Sequence, residues 1–215
     1  MLPVRRSKMS KRMVQNLAEN ICKQVAHFNK REVECLIREF YLILEEPTSP
    51  ARSVRGLDRW KFRRFLHHTF GLTDDTIMDG VFRTFDKDND GFVSMKEWIE
   101  GLSVVLRGTL DEKIKYCFHV YDLNADKYIT REEMLQILRY SLRLPGEEDP
   151  YDGIKDLVEI TLKRMDHDHD DRLSLDDFAK SVKEVNHVLE AFGTCLPNTT
   201  RIETFEQRVF QRQVD

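Results

Sequence analysis

This sequence has no long apolar run, no paired cysteine motif and no surplus of positive charge. Its apolar stretches fall well short of the roughly 18 to 20 residues that a membrane-spanning helix needs. Leu2 stands where N-myristoylation requires glycine, so we expect no lipid anchor and at most peripheral membrane contact. The formal net charge of -4 over 215 residues argues against binding to nucleic acid.

Cysteine and histidine spacing argues against several kinds of site. The four cysteines are widely separated, without the CxxC spacing of a zinc knuckle or a thioredoxin-type motif. We therefore expect reduced, mostly buried thiols in a monomeric cytoplasmic protein. No phosphate-binding loop is present and the histidines lack nucleophile or base spacing, so an enzyme is not expected. These histidines are His27, His67, His68, His119 and His187.

The dominant pattern of the chain is helical. Apolar residues recur at spacings of three and four, and alternation typical of strands appears nowhere at length, so the predicted fold class is all-α. Asn29 and Asp58 are predicted to cap helices, Gly71 to end one, Thr73 to begin the next, and Ser94 to begin another. The helix after Asp58 is predicted to bury Trp60, Phe62, Phe65 and Leu66.

The two termini each leave two interpretations open. The first dozen residues carry five cations and no acid, which is typical either of a contact with an acidic partner or membrane surface or of a solvated, frayed end. The tail at 191–215 is predicted to contain a short helix that either packs simply or folds back to gate a groove. The apolar face of this tail helix is Phe205, Val209 and Phe210, beside Arg201, Arg208 and Arg212. The five cations of the N-terminal segment are Arg5, Arg6, Lys8, Lys11 and Arg12.

An acidic segment between two helical stretches occurs three times, starting at Asp86, Asp122 and Asp166. A 12-residue loop that supplies oxygen from positions 1, 3, 5, 7, 9 and 12, with glycine at 6, is the calcium loop of an EF-hand. The first loop fits at every position and has Gly91 at the turn. Its predicted ligands are Asp86, Asp88, Asp90, the Phe92 carbonyl, Ser94 and Glu97.

The second loop has a complete ligand set with one carboxylate fewer. Lys127 replaces the glycine, and a left-handed backbone at a residue with a Cβ costs about 1–2 kcal/mol, so binding is expected to be weaker. Its predicted ligands are Asp122, Asn124, Asp126, the Tyr128 carbonyl, Thr130 and Glu133.

The third loop departs from the pattern at two positions. Asp171 replaces the glycine, and Asp177 replaces the bidentate glutamate with a shorter side chain, a geometry that lets Mg²⁺ compete with Ca²⁺. His167 and His169 leave a zinc or copper site as a weak alternative, although loop positions 2 and 4 face outward. The predicted ligands are Asp166, Asp168, Asp170, the Arg172 carbonyl, Ser174 and Asp177.

EF-hands pair through a short β contact, so three loops imply a fourth hand. The segment 36 residues before the first loop places Leu57 opposite Val93, but its ligand positions hold Pro50, Arg52, Val54 and Lys61 and cannot bind Ca²⁺. The prediction is therefore two EF-hand pairs, four hands with the first degenerate, plus terminal helices. The predicted units are an N-terminal lobe at 1–106, a C-terminal lobe at 107–190 and the tail at 191–215.

Four segments carry a resemblance to a known family: HFNKREVECLI, HHTFGLTDDTIMDGVFRTFDKDNDGF, DPYDGIKDLVEITLKRMDHDHD and LEAFGTCLP. With these segments the chain resembles the calaxin-like EF-hand proteins, relatives of the neuronal calcium sensors. The resemblance implies a calcium sensor in the axoneme of cilia or flagella, within the cytoskeleton. It also implies Ca²⁺-dependent regulation of outer-arm dynein through contacts with the dynein heavy chain and docking components.

Three functions remain open at this point. A sensor opens an apolar groove when it binds Ca²⁺, whereas a cytosolic calcium buffer barely opens. A regulatory subunit of a phosphatase or kinase is the third possibility. The groove residues predicted for a sensor are Phe118, Tyr121, Met134, Ile137, Val158 and Met165.

Overall fold

The computed structural model describes residues 11–45, 55–141 and 151–211. These ranges are mainly helical, which confirms the all-α prediction, and none of their helices is both long and apolar enough to cross a membrane. The helices are α1 (Lys11–Cys22), α2 (Lys30–Leu44), α3 (Arg59–Phe65), α4 (Asp75–Phe85), α5 (Met95–Arg107), α6 (Leu110–Tyr121), α7 (Arg131–Ser141), α8 (Tyr151–Met165), α9 (Leu175–Glu184) and α10 (Thr199–Phe210). The strands are β1 (Leu57–Asp58), β2 (Phe92–Val93), β3 (Tyr128–Thr130) and β4 (Arg172–Ser174).

Helix ends follow local side-chain chemistry. Asn29 and Ser94 form capping boxes with the acids three residues later, and Asp58 accepts a hydrogen bond from the Lys61 amide. These caps confirm the predicted starts, and Gly71 ends the π-helical turn Leu66–Phe70 with a left-handed φ of 75°. The predicted start at Thr73 is wrong by one residue, because the Asp74 carboxylate caps α4.

Two antiparallel strand pairs join the hands. Leu57 lies opposite Val93 in β1 and β2, and Ile129 lies opposite Leu173 in β3 and β4. The pairing of Leu57 with Val93 was predicted from the spacing of the loops and is confirmed. All four of these apolar side chains are fully buried, so each short sheet is attached to the core.

The first hand contains a fixed cation. Lys61 stands at its twelfth position, where a calcium-binding hand has glutamate, and the side chain is buried. Its ammonium group donates a hydrogen bond of 2.6 Å to the carbonyl of Leu44, the last residue of α2. The exiting helix α3 is thus tied to the entering helix α2 without a metal ion. Other parts of this hand, including Pro50, Arg52 and Val54, lie outside the described residues.

Trp60 corrects the predicted core face of α3. The Trp60 side chain is 49% exposed, and the guanidinium of Arg64 lies over its ring, 5.5 Å from the centroid. Phe62, Phe65 and Leu66 are buried as predicted. Trp60 precedes Phe62 by two residues, and residues two apart lie on opposite sides of a helix, whereas those three or four apart share a face.

The C-terminal helix α10 packs on the N-terminal half of the chain. Phe205 is buried against Phe65 and Phe70, with ring centroids 6.1 and 5.5 Å apart, and Val209 is also buried. Arg208 and Glu39 form an ion pair of 2.6 Å at the edge of this contact. The buried apolar residues of both halves belong to one cluster, so the lobe boundaries at 106 and 190 stay predictions.

Other predictions concern residues outside the described ranges. They include most of the loop after α2, the connector at 144–150, and the basic residues Arg5, Arg6, Lys8 and Arg212. The four cysteines are all free thiols, three of them buried, as the composition predicted.

Candidate metal centre

Each acidic loop has a buried carboxylate at its first position, at the end of its entering helix. Asp86, Asp122 and Asp166 are only 4–6% exposed. Each accepts hydrogen bonds from the backbone amides at loop positions 5 and 6, over 2.9 to 3.3 Å. The first carboxylate therefore organises the turn of the loop.

The twelfth position carries a second buried carboxylate, which links the two ends of the loop. In the first loop, Glu97 accepts from the amide of Lys87 over 2.8 Å and from the amide of Ser94 over 2.9 Å. Glu133 likewise accepts from the amides of positions 3 and 9, and Asp177 accepts from those of positions 2 and 9. Each loop thus holds two buried acids, and in the first loop both belong to one carboxylate cluster, an arrangement that favours a bound cation.

The first loop brings three predicted ligands together. Carboxylate oxygens of Asp86, Asp88 and Glu97 lie within 4.8 Å of one another. Asp90 instead accepts a hydrogen bond of 2.8 Å from the amide of Phe92, the first residue of β2. These carboxylate, carbonyl and hydroxyl oxygens form the hard-oxygen donor set that Ca²⁺ prefers, so the residues present fit the ion.

The second loop has the same backbone plan. Lys127 adopts a left-handed φ of 75°, as the missing glycine predicted. The side-chain amide of Asn124 donates a hydrogen bond to Asp126 over 3.0 Å. Tyr128, whose backbone carbonyl is a predicted ligand, is the first residue of β3. Thr130 donates its hydroxyl to the Glu133 carboxylate over 2.8 Å.

The third loop gathers Asp166, Asp168 and Asp170, whose carboxylate oxygens lie within 4.8 Å of one another. Asp171 takes the left-handed conformation, with φ 64°. Arg172 forms an ion pair of 2.7 Å with Asp170, so a metal ion has to compete with a guanidinium for this ligand.

The imidazoles of the two histidines in the third loop do not join its acidic cluster. His167 is hydrogen-bonded through Nε2 to the Ser181 hydroxyl over 3.2 Å, and His169 is exposed. Among the described residues, the acidic cluster of this loop contains only aspartates. The geometry therefore gives no support to the zinc or copper alternative.

Burial and hydrogen bonding affect the acids in opposite directions. Burial raises the pKa of Asp86 and of Asp122, despite the amide hydrogen bonds that they accept. Burial also opposes ionisation of Glu97, but hydrogen bonds from Ser94, Lys87 and Asp88 outweigh it and hold the pKa of this carboxyl below its ordinary value. Glu97 is thus well prepared as an anionic ligand.

Two contacts that join the second loop to other parts of the chain were missed by the sequence analysis. The Arg172 guanidinium lies 3.7 Å from the centroid of the Tyr128 ring on the paired strand. Arg83 of α4 donates a hydrogen bond to the carbonyl of Leu123 in the second loop. The first contact could have been found from the register of Ile129 with Leu173, because diagonal neighbours across two strands lie within reach of long side chains. The second has no signal in the sequence.

Paired helix–loop–helix units with these oxygen donors define the class as EF-hand calcium-binding proteins. Residues 77–103 match the EF hand family, and residues 111–183 match the EF-hand domain pair family. Calaxin of Danio rerio is 60% identical over 205 residues, covering 95% of this chain and 97% of that protein.

Two further relatives extend the likeness. Calaxin of Xenopus laevis is 56% identical, covering 96% of this chain and all of that protein. Calaxin of Homo sapiens is 54% identical, covering 94% of this chain and 96% of that protein. The chain therefore belongs to the calaxin family. Calcium sensing is the function that this family and the three loops support.

Proposed function

We propose that this chain is a calcium sensor that regulates outer-arm dynein, and hence the motility of cilia and flagella. It acts in the axoneme by binding the dynein heavy chain and docking components in a Ca²⁺-dependent way. The observation that carries the proposal is the complete loop at 86–97, with its converging carboxylates, in a chain of the calaxin family. Sensor loops of this kind bind Ca²⁺ at about 10⁻⁷ to 10⁻⁵ M.

Glu97 is the residue that connects ion binding to helix movement. It belongs to the first turn of α5, and its carboxylate accepts from Lys87 at the start of the loop and from Ser94 at the end. Glu97 would hold Ca²⁺ together with Asp86 and Asp88, and the ion would supply the positive charge that this carboxylate turns towards. A change in its orientation then alters the angle between α4 and α5.

A surface for the partner has to become exposed for this function. The six groove residues predicted for the C-terminal half are at most 3% exposed in this structure. We expect Ca²⁺ to open the chain and to raise the fluorescence of the apolar probe ANS about twofold or more. Mg²⁺ alone should not do so, and the Glu97→Gln variant should show a smaller rise. Calcium binding without a rise in ANS fluorescence would identify a buffer.

Binding to the motor is tested with purified components. Immobilised chain should retain outer-arm dynein heavy chain to different extents in Ca²⁺ and in EGTA. The matched variant Glu97→Gln should lose part of that difference. Equal retention under both conditions, with Ca²⁺ binding intact, would contradict dynein regulation and leave the calcium site standing.

We also propose that Mg²⁺ competes at the third loop, because Asp177 is one methylene shorter than the usual glutamate. The variant Asp177→Glu is expected to bind Ca²⁺ about tenfold more tightly in the presence of Mg²⁺. Calorimetric titration of Ca²⁺ with and without Mg²⁺ measures the change. The control is Asp176→Glu, the same alteration at an exposed neighbour. An unchanged affinity in Asp177→Glu would argue against the role given to side-chain length.

A further inference from the structure

The entering helices of the first and second calcium loops are packed directly on one another. Gly80 of α4 lies so close to α6 that a Cβ added there would stand 2.4 Å from the carbonyl oxygen of Val120. Helix α4 ends at Phe85, directly before the first ligand Asp86, and α6 ends at Tyr121, directly before Asp122. A displacement of α4 therefore pushes directly on the helix that leads into the next loop.

Arg83 bridges the two hands one turn beyond this contact. It is half-buried on α4, three residues before Asp86, and donates from Nη1 to the carbonyl of Leu123. Burial lowers the pKa of its guanidinium, whereas the nearby carboxylates of Asp122, Asp79 and Glu133 raise it. Two of those acids, Asp122 and Glu133, are predicted ligands of the second loop, so Arg83 places a positive charge beside the position that Ca²⁺ would occupy.

The equivalent residues of the other two loops lack this environment. His119 precedes Asp122 by three residues, and Lys163 precedes Asp166 by three, and both side chains are exposed. Arg83 is thus the one of the three that reaches into a loop of another hand.

We infer that Arg83 is a positioning residue that couples the loop at 86–97 to the loop at 122–133, so that ion binding at the first raises the affinity of the second. Its guanidinium holds the second loop through Leu123 and opposes a cation there by repulsion. Movement of α4 on filling of the first loop withdraws that charge. This inference rests on the proposed function, because both loops must bind Ca²⁺.

The test measures the Ca²⁺ affinity of each loop separately in the full chain. Amide resonances of Gly91 and Lys127 report the first and second loops during a Ca²⁺ titration. In the native background, disabling the first loop with Glu97→Gln should weaken the second loop by about fivefold or more, a usual size for coupling between sites. In the Arg83→Met background the second loop should bind more tightly, and the same disabling change should alter its affinity by less than about twofold.

Two further variants separate coupling from damage to the fold. Arg83→Lys keeps a cation and a hydrogen-bond donor. In this variant, disabling the first loop should still weaken Ca²⁺ binding at the second loop. Lys163→Met removes the exposed cation that stands three residues before Asp166, as Arg83 stands before Asp86. In this variant, disabling the first loop should weaken the second loop as much as in the native chain. If the dependence persists in Arg83→Met, or is absent from the native chain while both amides titrate, the inference is overturned and the proposed sensor stands. If Lys127 does not respond to Ca²⁺ at all, the inference and the second metal site both fail.

Discussion

Replacing Glu97 by glutamine is expected to lower the Ca²⁺ affinity of the loop at 86–97 by about 100-fold or more. The Glu97 carboxylate is 7% exposed and lies with Asp86 and Asp88 in the acidic cluster. Removing a residue that only hydrogen-bonds to a metal ligand commonly lowers metal affinity by about 10- to 100-fold. Removing a charged bidentate ligand itself should lower the affinity by at least the upper value.

Calorimetric titration of the full chain measures this effect as the loss of one binding event. Glu100→Gln is the matched control, because Glu100 undergoes the same loss of charge three residues later on α5. Glu100 pairs with Lys87 over 2.7 Å and belongs to no predicted ligand set. An unchanged titration in Glu97→Gln would remove the loop at 86–97 as the principal calcium site.

Replacing Phe205 by alanine is expected to lower the free energy of unfolding by about 3–5 kcal/mol, as for other large aromatic residues removed from a core. The ring is 1% exposed and lies between Phe65 and Phe70. Its loss leaves a cavity where α10 meets the π-helical turn. The ion pairs of Arg208 with Glu39 and of Arg107 with Glu206 lie at the edge of the same contact and cannot fill that cavity.

Urea unfolding without Ca²⁺, followed by circular dichroism, measures the loss. Ile160→Ala is the control, because that side chain is 56% exposed and its truncation should change stability by less than about 0.5 kcal/mol. A loss below about 1 kcal/mol for Phe205→Ala would show that α10 contributes little to folding, against its burial here. That outcome would favour a detachable tail.

Local features of this fold could be predicted because each depends on few neighbouring residues. A cap at Asn29 needs only an acceptor side chain and Glu32 three residues on. The pairing of Leu57 with Val93 followed from placing a hand 36 residues before the first loop, the same distance that separates the first and second loops, because the eighth position of a hand forms the β contact. The left-handed backbone at Lys127 followed from the same alignment.

Features that join distant elements could not be predicted in this way. Helical periodicity shows that Phe205 lies on an apolar face, but not that the face meets Phe65 and Phe70. The contact of Arg83 with Leu123 spans 40 residues and two hands. Trp60 was misplaced because an aromatic residue at a helix start was counted as core without regard to its two-residue spacing from Phe62.

The hydrogen bond from the Lys61 ammonium to the Leu44 carbonyl also affects how the occupancy of the N-terminal pair of hands depends on the Ca²⁺ concentration. This hand carries a tethered cation where a calcium-binding hand has glutamate, so it does not itself bind Ca²⁺. The two hands of the pair therefore bind one ion between them and cannot cooperate with each other. Without the coupling to the second loop, the dose–response curve of the pair would be a simple hyperbola. Such a curve needs an increase of about 80-fold in free Ca²⁺ to pass from one-tenth to nine-tenths occupancy. By itself this half of the molecule would give a graded output, and a steeper response must come from its coupling to the second loop or from the second and third loops themselves.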